Sequence, residues 1–554
     1  MKKCIPILML TLATLFMVAC SSPEKMKKLA NQVETSCDPQ VLEVRANAIE
    51  ARYTVTFPNK FFHPKGILEL TPVLVYQGGE VAGPVKLLQG EKVSGNNTVI
   101  PTVGGKVTQP VKFDFKPGME VCRLELRARV MYKDKVWPFD EARKLADGAN
   151  ATYKLVNTNG TPSFLSDKYQ KTIIKTQEAQ INYIINSEVV RPAELKKEDV
   201  KALQDFLAAA DKDERSTVKA MNIISAASPE GPITINEPLA KKRGKTAETA
   251  YNNMVKKLAE KATVNLTNIS EDWDGFQALV AASDLKDKDL ILRVLSMYSD
   301  PIVREREIKN MSNVYTILKD KVLPELRRSR MIAENEWQNY TDQELKDMVS
   351  ANTVEGLDVE GLLYAATLFN DNATKISLYT KAAEKYNDYR AYNNLACAQL
   401  LNNNASAAKA ALAKASNQND VAVKNNLGVV ALREGRIEDA VKLFNEANNA
   451  EAKTNLGIIS ILNGNYSDAL NRHNGTGSYN EALSNVLSGN LDKASFILSG
   501  KDDAQSEYLK AIIAARKGDC TQVAACLARA YAKDASLKQK AAGDIEFAKC
   551  KGST

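Results

Sequence analysis

Histidine is nearly missing from this chain. Its 554 residues include two, His63 and His473, far apart and with no cysteine beside either. That excludes the spacing of a zinc site. It also leaves no histidine beside a candidate nucleophile, which argues against a hydrolase using histidine as general base. Only three tryptophans occur, and long apolar runs are equally rare. The longest, Ile5 to Val18, falls short of the ~20 residues that span a bilayer. The formal net charge of +7 is small for this length, so no electrostatic footprint for nucleic acid is present. No paired-carboxylate cleft stands out either. No catalytic residue, cofactor or metal is therefore expected.

What is present begins at the amino terminus. Lys2 and Lys3 precede the apolar run, so residues 1–19 read as a processing segment. Met17-Val18-Ala19-Cys20 resembles a bacterial lipobox, with Met where Leu is usual. That resemblance implies that Cys20 becomes the first residue, acylated on its thiol and its amine. Two or more acyl chains hold a protein stably on a membrane. An ordinary secretory signal with an incidental Cys is the alternative. Loss of Lys2 and Lys3 lowers the charge from +7 to +5. Export makes disulfides possible; Cys37 with Cys122 is a candidate pair bracketing the first domain, and Cys520 with Cys526 a second.

Three composition regimes follow a polar, Lys-rich tether over 20–40. Residues 41–160 alternate apolar and polar, as at Ile49, Ala51, Tyr53, Val55 and Phe57, and again at Leu124, Leu126, Ala128 and Val130. Recurrent Gly and Pro punctuation predicts a small antiparallel β sandwich. Phe61 and Phe62 form either a contact loop or a loop folded back on the sheet. Residues 165–345 read as α+β. Strands are predicted around Ile181–Ile185 and Val218–Ile224, and helices over Glu198–Ala209 and around Leu239–Tyr251. A helical run is expected from Trp273 to about Glu336. Glu271, Asp272 and Asp274 around Trp273 read as a solvated acidic turn.

Residues 346–554 are helical and repetitive. Leu427-Gly428, Gly435, Ala440, Phe444 and Ala447 sit at the tetratricopeptide spacing. Leu395-Ala396, Asn403, Ala408, Leu412 and Ala415 repeat that pattern upstream, and Leu456-Gly457, Gly464 and Ala469 repeat it downstream. Gly489 with Ala494 and Gly518 with Val523 read as degenerate later copies. Units of this kind stack into a curved array because none buries its apolar face alone. Asn393, Asn394, Asn425, Asn426 and Asn455 recur just before the Leu-Gly-type pair. Asn394, Asn426 and Asn455 are candidate peptide-binding residues for an unidentified protein partner. Helix-start and solvent positions are the other reading.

The segment Ser225–Arg243, SAASPEGPITINEPLAKKR, resembles the peptidoglycan-binding core of OmpA-like domains. Gly231, Asn236, Leu239 and Arg243 match in register, while Ser228 stands where that family has an Asp. The resemblance implies that Arg243 grips a stem-peptide carboxylate, with Asn236 and Ser228 beside it. Glu230 stands two residues from the missing acid and is not counted as its replacement. The whole chain is similar to a group of Bacteroidota outer-membrane lipoproteins that join a β domain, an OmpA-like domain and tetratricopeptide repeats. That resemblance implies a lipid-anchored outer-membrane location, surface or vesicle antigenicity and no enzymatic activity. Ser-Ser-Pro-Glu-Lys after Cys20 lacks an acidic export cluster, so a periplasm-facing body is favoured over a surface one. The expectation is a multidomain, non-enzymatic envelope lipoprotein. It would contact the cell wall through its central domain and a protein through its repeats. The alternative is an accessory scaffold of an outer-membrane assembly or secretion machine, with a degenerate peptidoglycan site.

Overall fold

A computed structural model of the chain describes residues 23–259 and 262–550. Cys20 and its lipobox lie outside the described residues. The chain divides into two compact units, one ending at Ser166 and resuming at Asp371, the other spanning Asp167–Asn370.

The first unit opens with eleven strands. One half holds β1 (Glu34–Asp38), β2 (Val41–Arg45), β3 (Ala48–Phe57) and, on the other edge of β3, β8 (Gly105–Asp114). The other half is built on β4 (Ile67–Tyr76) paired with β9 (Cys122–Tyr132). Around them lie β5 (Gly79–Ala82), β6 (Lys86–Gly90), β7 (Thr98–Ile100), β10 (Lys135–Pro138) and β11 (Arg143–Asn150). Strand β2 bridges the halves, antiparallel to β3 and parallel to β11. The period of two works as expected. Ile49, Ala51, Tyr53, Val55 and Phe57 are buried along β3 and meet Leu124, Leu126 and Val130 of β9 in one core. Phe61 and Phe62 fold back into that core, Phe61 stacking on Phe57 and Phe62 meeting it edge-on. The segment expected as tether is structured from Pro23 onward, with Met26 fully buried under the sandwich and residues 34–38 forming β1.

The Cys37–Cys122 pair does not form; both thiols are free. Cys37 stands on β1 opposite Tyr53, in one half, while Cys122 stands on β9 opposite Tyr76 and Gly148, in the other. Burial pushes the Cys37 thiol up to about 11 and the Cys122 thiol up to about 12. Cys526 is free as well, because Cys520 bonds to Cys550.

From Tyr389 onward five helix pairs stack, at Tyr389–Leu401/Ala405–Lys414, Val421–Arg433/Ile437–Ala447, Ala450–Leu462/Tyr466–His473, Tyr479–Leu487/Leu491–Leu498 and Ala504–Lys517/Cys520–Lys533. The turn inside each pair needs a left-handed residue. Gly435, Gly464, Gly489 and Gly518 supply φ of 72° to 81°, and Asn403 supplies 58° in the first pair. Both degenerate copies are therefore real repeats. The sandwich and the last repeats share one apolar core, in which Leu42, Val44 and Ala149 join Leu483, Val486, Tyr508 and Phe547. Glu546 ties the two parts by accepting from Asn150 Nδ2 (2.8 Å), Thr152 Oγ1 (2.6 Å) and Arg516 (3.1 Å from Nε). The disulfide holds the Glu546 segment to the last repeat helix.

The second unit is a four-stranded sheet in the order β12 (Thr172–Asn182), β15 (Arg328–Gln338), β13 (Ser216–Ala226), β14 (Thr263–Ile269). The β13–β14 pair is parallel; β15 runs antiparallel to both neighbours. Helices Glu198–Lys212 and Ile233–Met254 cover one face, burying Val200, Leu203, Leu207, Ala247 and Tyr251 on Ile181, Met221, Ile223 and Met331. The helical run expected to Glu336 ends earlier. Four short helices between Trp273 and Lys321 form a satellite core, and the chain then returns as β15, in the middle of the sheet. Asp272 is not in a solvated turn. It caps the helix at Trp273 by accepting from Gly275 N at 2.8 Å and pairs with Arg328 at 3.0 Å.

Candidate functional site

Two places gather the residues singled out in the sequence, one in each unit. In the first unit, the repeat asparagines do not face solvent. Asn393, Asn425, Asn426 and Asn455 are fully buried and Asn394 nearly so, which overturns the solvent-position reading. They lie mid-way along the first helix of successive repeats and point at an extended segment, residues 157–165, that joins the sandwich to the second unit.

Each contact has the same form. The Oδ1 of one asparagine accepts from a linker N–H and its Nδ2 donates to the C=O of that same residue. Asn394 does this to Leu165 (2.8 and 2.8 Å), Asn426 to Ser163 (2.7 and 2.9 Å) and Asn455 to Thr161 (2.7 and 2.9 Å). Asn480, in the fourth repeat, does it to Asn157 (2.9 and 2.8 Å). A carboxamide has the donor and acceptor of a peptide group. The asparagines thus act like an adjacent β-strand made of side chains, reading every second residue over 161–165. The linker enters at the fourth repeat and leaves at the first, opposite in direction to the solenoid. A second row stiffens the first. Asn426 Nδ2 donates to Asn393 Oδ1 at 2.8 Å and Asn455 Nδ2 to Asn425 Oδ1 at 3.0 Å. Asn393 and the Cys397 thiol also donate to Ser163 O at 3.0 and 3.1 Å.

The linker sequence fits this geometry. Pro162 has no N–H, and it falls between two read residues, where none is needed. Gly160 has φ +70°, and a Cβ there would meet Val429 at 3.0 Å. Ser163 is buried and its Oγ accepts from Asn449 Nδ2 at 2.9 Å. Phe164, the largest side chain of the segment, is 41 % exposed. Asn480 escaped the sequence reading because its repeat is degenerate; its place nine residues before the turn glycine Gly489, the spacing of Asn426 from Gly435 and of Asn455 from Gly464, was the signal.

In the second unit, Ser228, Asn236 and Arg243 are brought together, and all three are buried. Asn236 Nδ2 donates to Gly231 O (2.9 Å) and Ser228 O (3.2 Å), closing the Pro-Glu-Gly turn onto the helix that follows. Arg243 is 1 % exposed. Its guanidinium donates to three backbone carbonyls, Ala226 O at 2.9 Å, Ser187 O at 3.0 Å and Ile184 O at 3.3 Å, and lies over the Tyr183 ring at 5.0 Å. Burial pushes its pKa down, to about 10. Glu230 does turn inward. It accepts from Ser228 Oγ at 2.8 Å and pairs with Arg327 at 2.7 Å, both side chains being largely covered. A carboxylate thus stands two residues along the turn from Ser228, and its charge is answered by an arginine of the same unit.

Among the described residues no group of His, Cys, Asp and Glu is placed to hold a metal, and no helix is long and apolar enough to cross a membrane. No protein-family model and no curated protein matches the sequence. Among solved structures, the chain is similar to the Cut9–Hcn1 heterotetramer of APC/C at 12 % identity, covering 58 % of this chain and 72 % of that one, with TM-score 0.32. It is similar to yeast Tom70 at 12 % identity, covering 63 % and 78 %, with TM-score 0.26. Likenesses at these TM-scores carry no argument; the paired-helix solenoid stands on the chain's own repeats.

Proposed function

We propose that the protein is a non-enzymatic scaffold of the cell envelope, tethered to the outer membrane by lipid on Cys20, facing the periplasm and holding an unidentified protein through its repeats. The observation that carries the reading is the asparagine ladder, a groove whose polar groups match an extended polypeptide backbone rather than a reacting centre. We further propose that the second unit is of OmpA-like descent with a degenerate peptidoglycan site. The register of Gly231, Asn236, Leu239 and Arg243 supports the descent. The filled hydrogen bonds of Arg243 and Glu230 support the degeneracy, because a ligand carboxylate would have to strip a buried guanidinium of three carbonyls, each worth about 1.5–3 kcal/mol as a charge-assisted bond.

Two measurements test this. Metabolic labelling with a radioactive fatty acid should mark the wild type and not Cys20→Ser; label on both, or on neither, overturns the anchor. Purified peptidoglycan should retain neither wild type nor Arg243→Met. Retention of wild type that Arg243→Met abolishes, with the variant's α+β unit still folded, overturns the degenerate site and restores wall contact.

A further inference from the structure

We infer that the solenoid groove is a transferable peptide site kept shut by the chain's own residues 157–165, so that a partner enters it only by displacing that segment. The inference deepens the protein-holding reading above and rests on it. The partner it fits is an extended segment with glycine or a very small residue at the position of Gly160, a serine-sized residue three positions on, and no proline at the residues the ladder reads.

The argument starts from how little of the linker's own identity is used. Ten of the hydrogen bonds that hold it run between carboxamides and its backbone, eight of them as reciprocal pairs to four residues. A backbone is common to all polypeptides, so this recognition does not distinguish the linker from any other extended chain. Size is tested at two points. Gly160 lies against Val429, and Ser163 is enclosed by Asn393, Cys397, Asn426 and Asn449. The large side chain contributes little anchoring: Phe164 stays well exposed, with its ring 6.4 Å from that of Tyr379. A competitor that keeps the two small residues and buries an apolar side chain near Tyr379 makes the same ladder and adds a contact. What the linker has in its favour is covalent attachment, which acts as an effective concentration on the order of millimolar for a short connection. The groove is therefore closed to weak ligands and open to strong ones.

The test uses the full chain and a fluorescent synthetic peptide of residues 156–166. In Gly160→Val, whose side chain cannot sit at φ +70° against Val429, the chain's own linker is displaced. That variant should bind the peptide at least tenfold more tightly than wild type. Adding Asn426→Ala should reduce the gain at least tenfold. A folded Gly160→Val that binds no better than wild type overturns the inference, leaving the ladder as an internal brace. A second measurement does not depend on that variant folding. In wild type, amide exchange at Thr161, Ser163 and Leu165 should accelerate in millimolar peptide and not in a version with proline at the position of Ser163. Unchanged exchange overturns the inference. Neither negative result touches the lipid anchor or a partner bound elsewhere on the solenoid, which fatty-acid labelling and cross-linked capture report separately.

Discussion

Replacing Asn426 by alanine measures the ladder at its most enclosed rung. The side chain accepts from Ser163 N at 2.7 Å and donates to Ser163 O, Asn393 Oδ1 and the Cys397 sulfur. Truncation leaves the Ser163 N–H and Asn393 Oδ1 without a partner in a site closed to water, since Ser163 and Asn393 are 4 % and 0 % exposed. Ser163 O keeps Asn393 and Cys397. Each orphaned buried group costs about 1–3 kcal/mol, so the expected loss for the two is on the order of 2–6 kcal/mol. Asn394→Ala is the matched control. It removes the same pair of bonds from Leu165, but Leu165 is only half-buried and water replaces what is lost, so about 1 kcal/mol is expected. Urea unfolding followed by circular dichroism gives the difference, and amide exchange at Ser163 locates it. Equal costs for the two variants, or unchanged exchange at Ser163, would refute the claim that burial sets the strength of each rung.

Gly428→Ala should destabilise the solenoid by about 1–3 kcal/mol, the usual range for overpacking, because its Cβ would meet the Phe444 ring at 2.6 Å; a thermal melt within a degree of wild type would contradict this. His473 is fully buried and burial pushes its pKa down, to about 4. Its neutral form is favoured in the fold, so no stability is lost above pH ~6.5. Between there and pH 4 the unfolded chain takes up a proton that the fold refuses, and on the order of 3 kcal/mol disappears. His473→Gln should flatten that acid limb of the stability profile, and an unchanged slope would show that other groups set it. Cys550→Ser opens a loop of 30 residues, worth about 3–4 kcal/mol in the chain-entropy account. It should also release the Glu546 segment from the sandwich junction, read as faster amide exchange over Ile545–Cys550; protection equal to wild type would refute the link.

Much of the architecture was legible because it rests on local periodicity. The alternation at Ile49–Phe57, the Gly-punctuated helix pairs and the Pro-Glu-Gly turn before a helix each needed only a short window. Strand β15 was not legible. Its buried positions are Ser329, Met331, Ala333 and Asn335, alternating with the half-buried Arg328, Arg330, Ile332, Glu334 and Glu336. Small and polar residues carry the period of two there, so no hydrophobic alternation announces the centre of a sheet. The shared core of sandwich and solenoid was hidden for another reason: contacts such as Glu546 with Asn150 span 396 residues, and composition knows nothing of such pairs. The missed Cys520–Cys550 bond has the same origin, since Cys526 is nearer in sequence but stands on the same helix as Cys520.

Both candidate sites were read from residue types that recognise charge or backbone, and in both the recognised group belongs to the chain itself. Arg243 grips carbonyls of residues 184, 187 and 226. The asparagines grip the linker. In each case the residue type predicted the chemistry of the contact without telling whose atoms it would meet, because a guanidinium or carboxamide in a low-dielectric site must be satisfied whether or not an outside ligand exists. The two cases then diverge. The Arg243 partners come from a turn, a strand end and a loop of the same compact unit, so opening that site disrupts packing around Tyr183, whose hydroxyl donates to Arg243 O at 3.1 Å. The linker is a single extended segment held mainly through its backbone by side chains of four repeats. An incoming polypeptide restores those bonds one for one, whereas no ligand restores the three carbonyls of Arg243. Exchange with an outside partner is therefore physically open at the ladder and closed at the arginine.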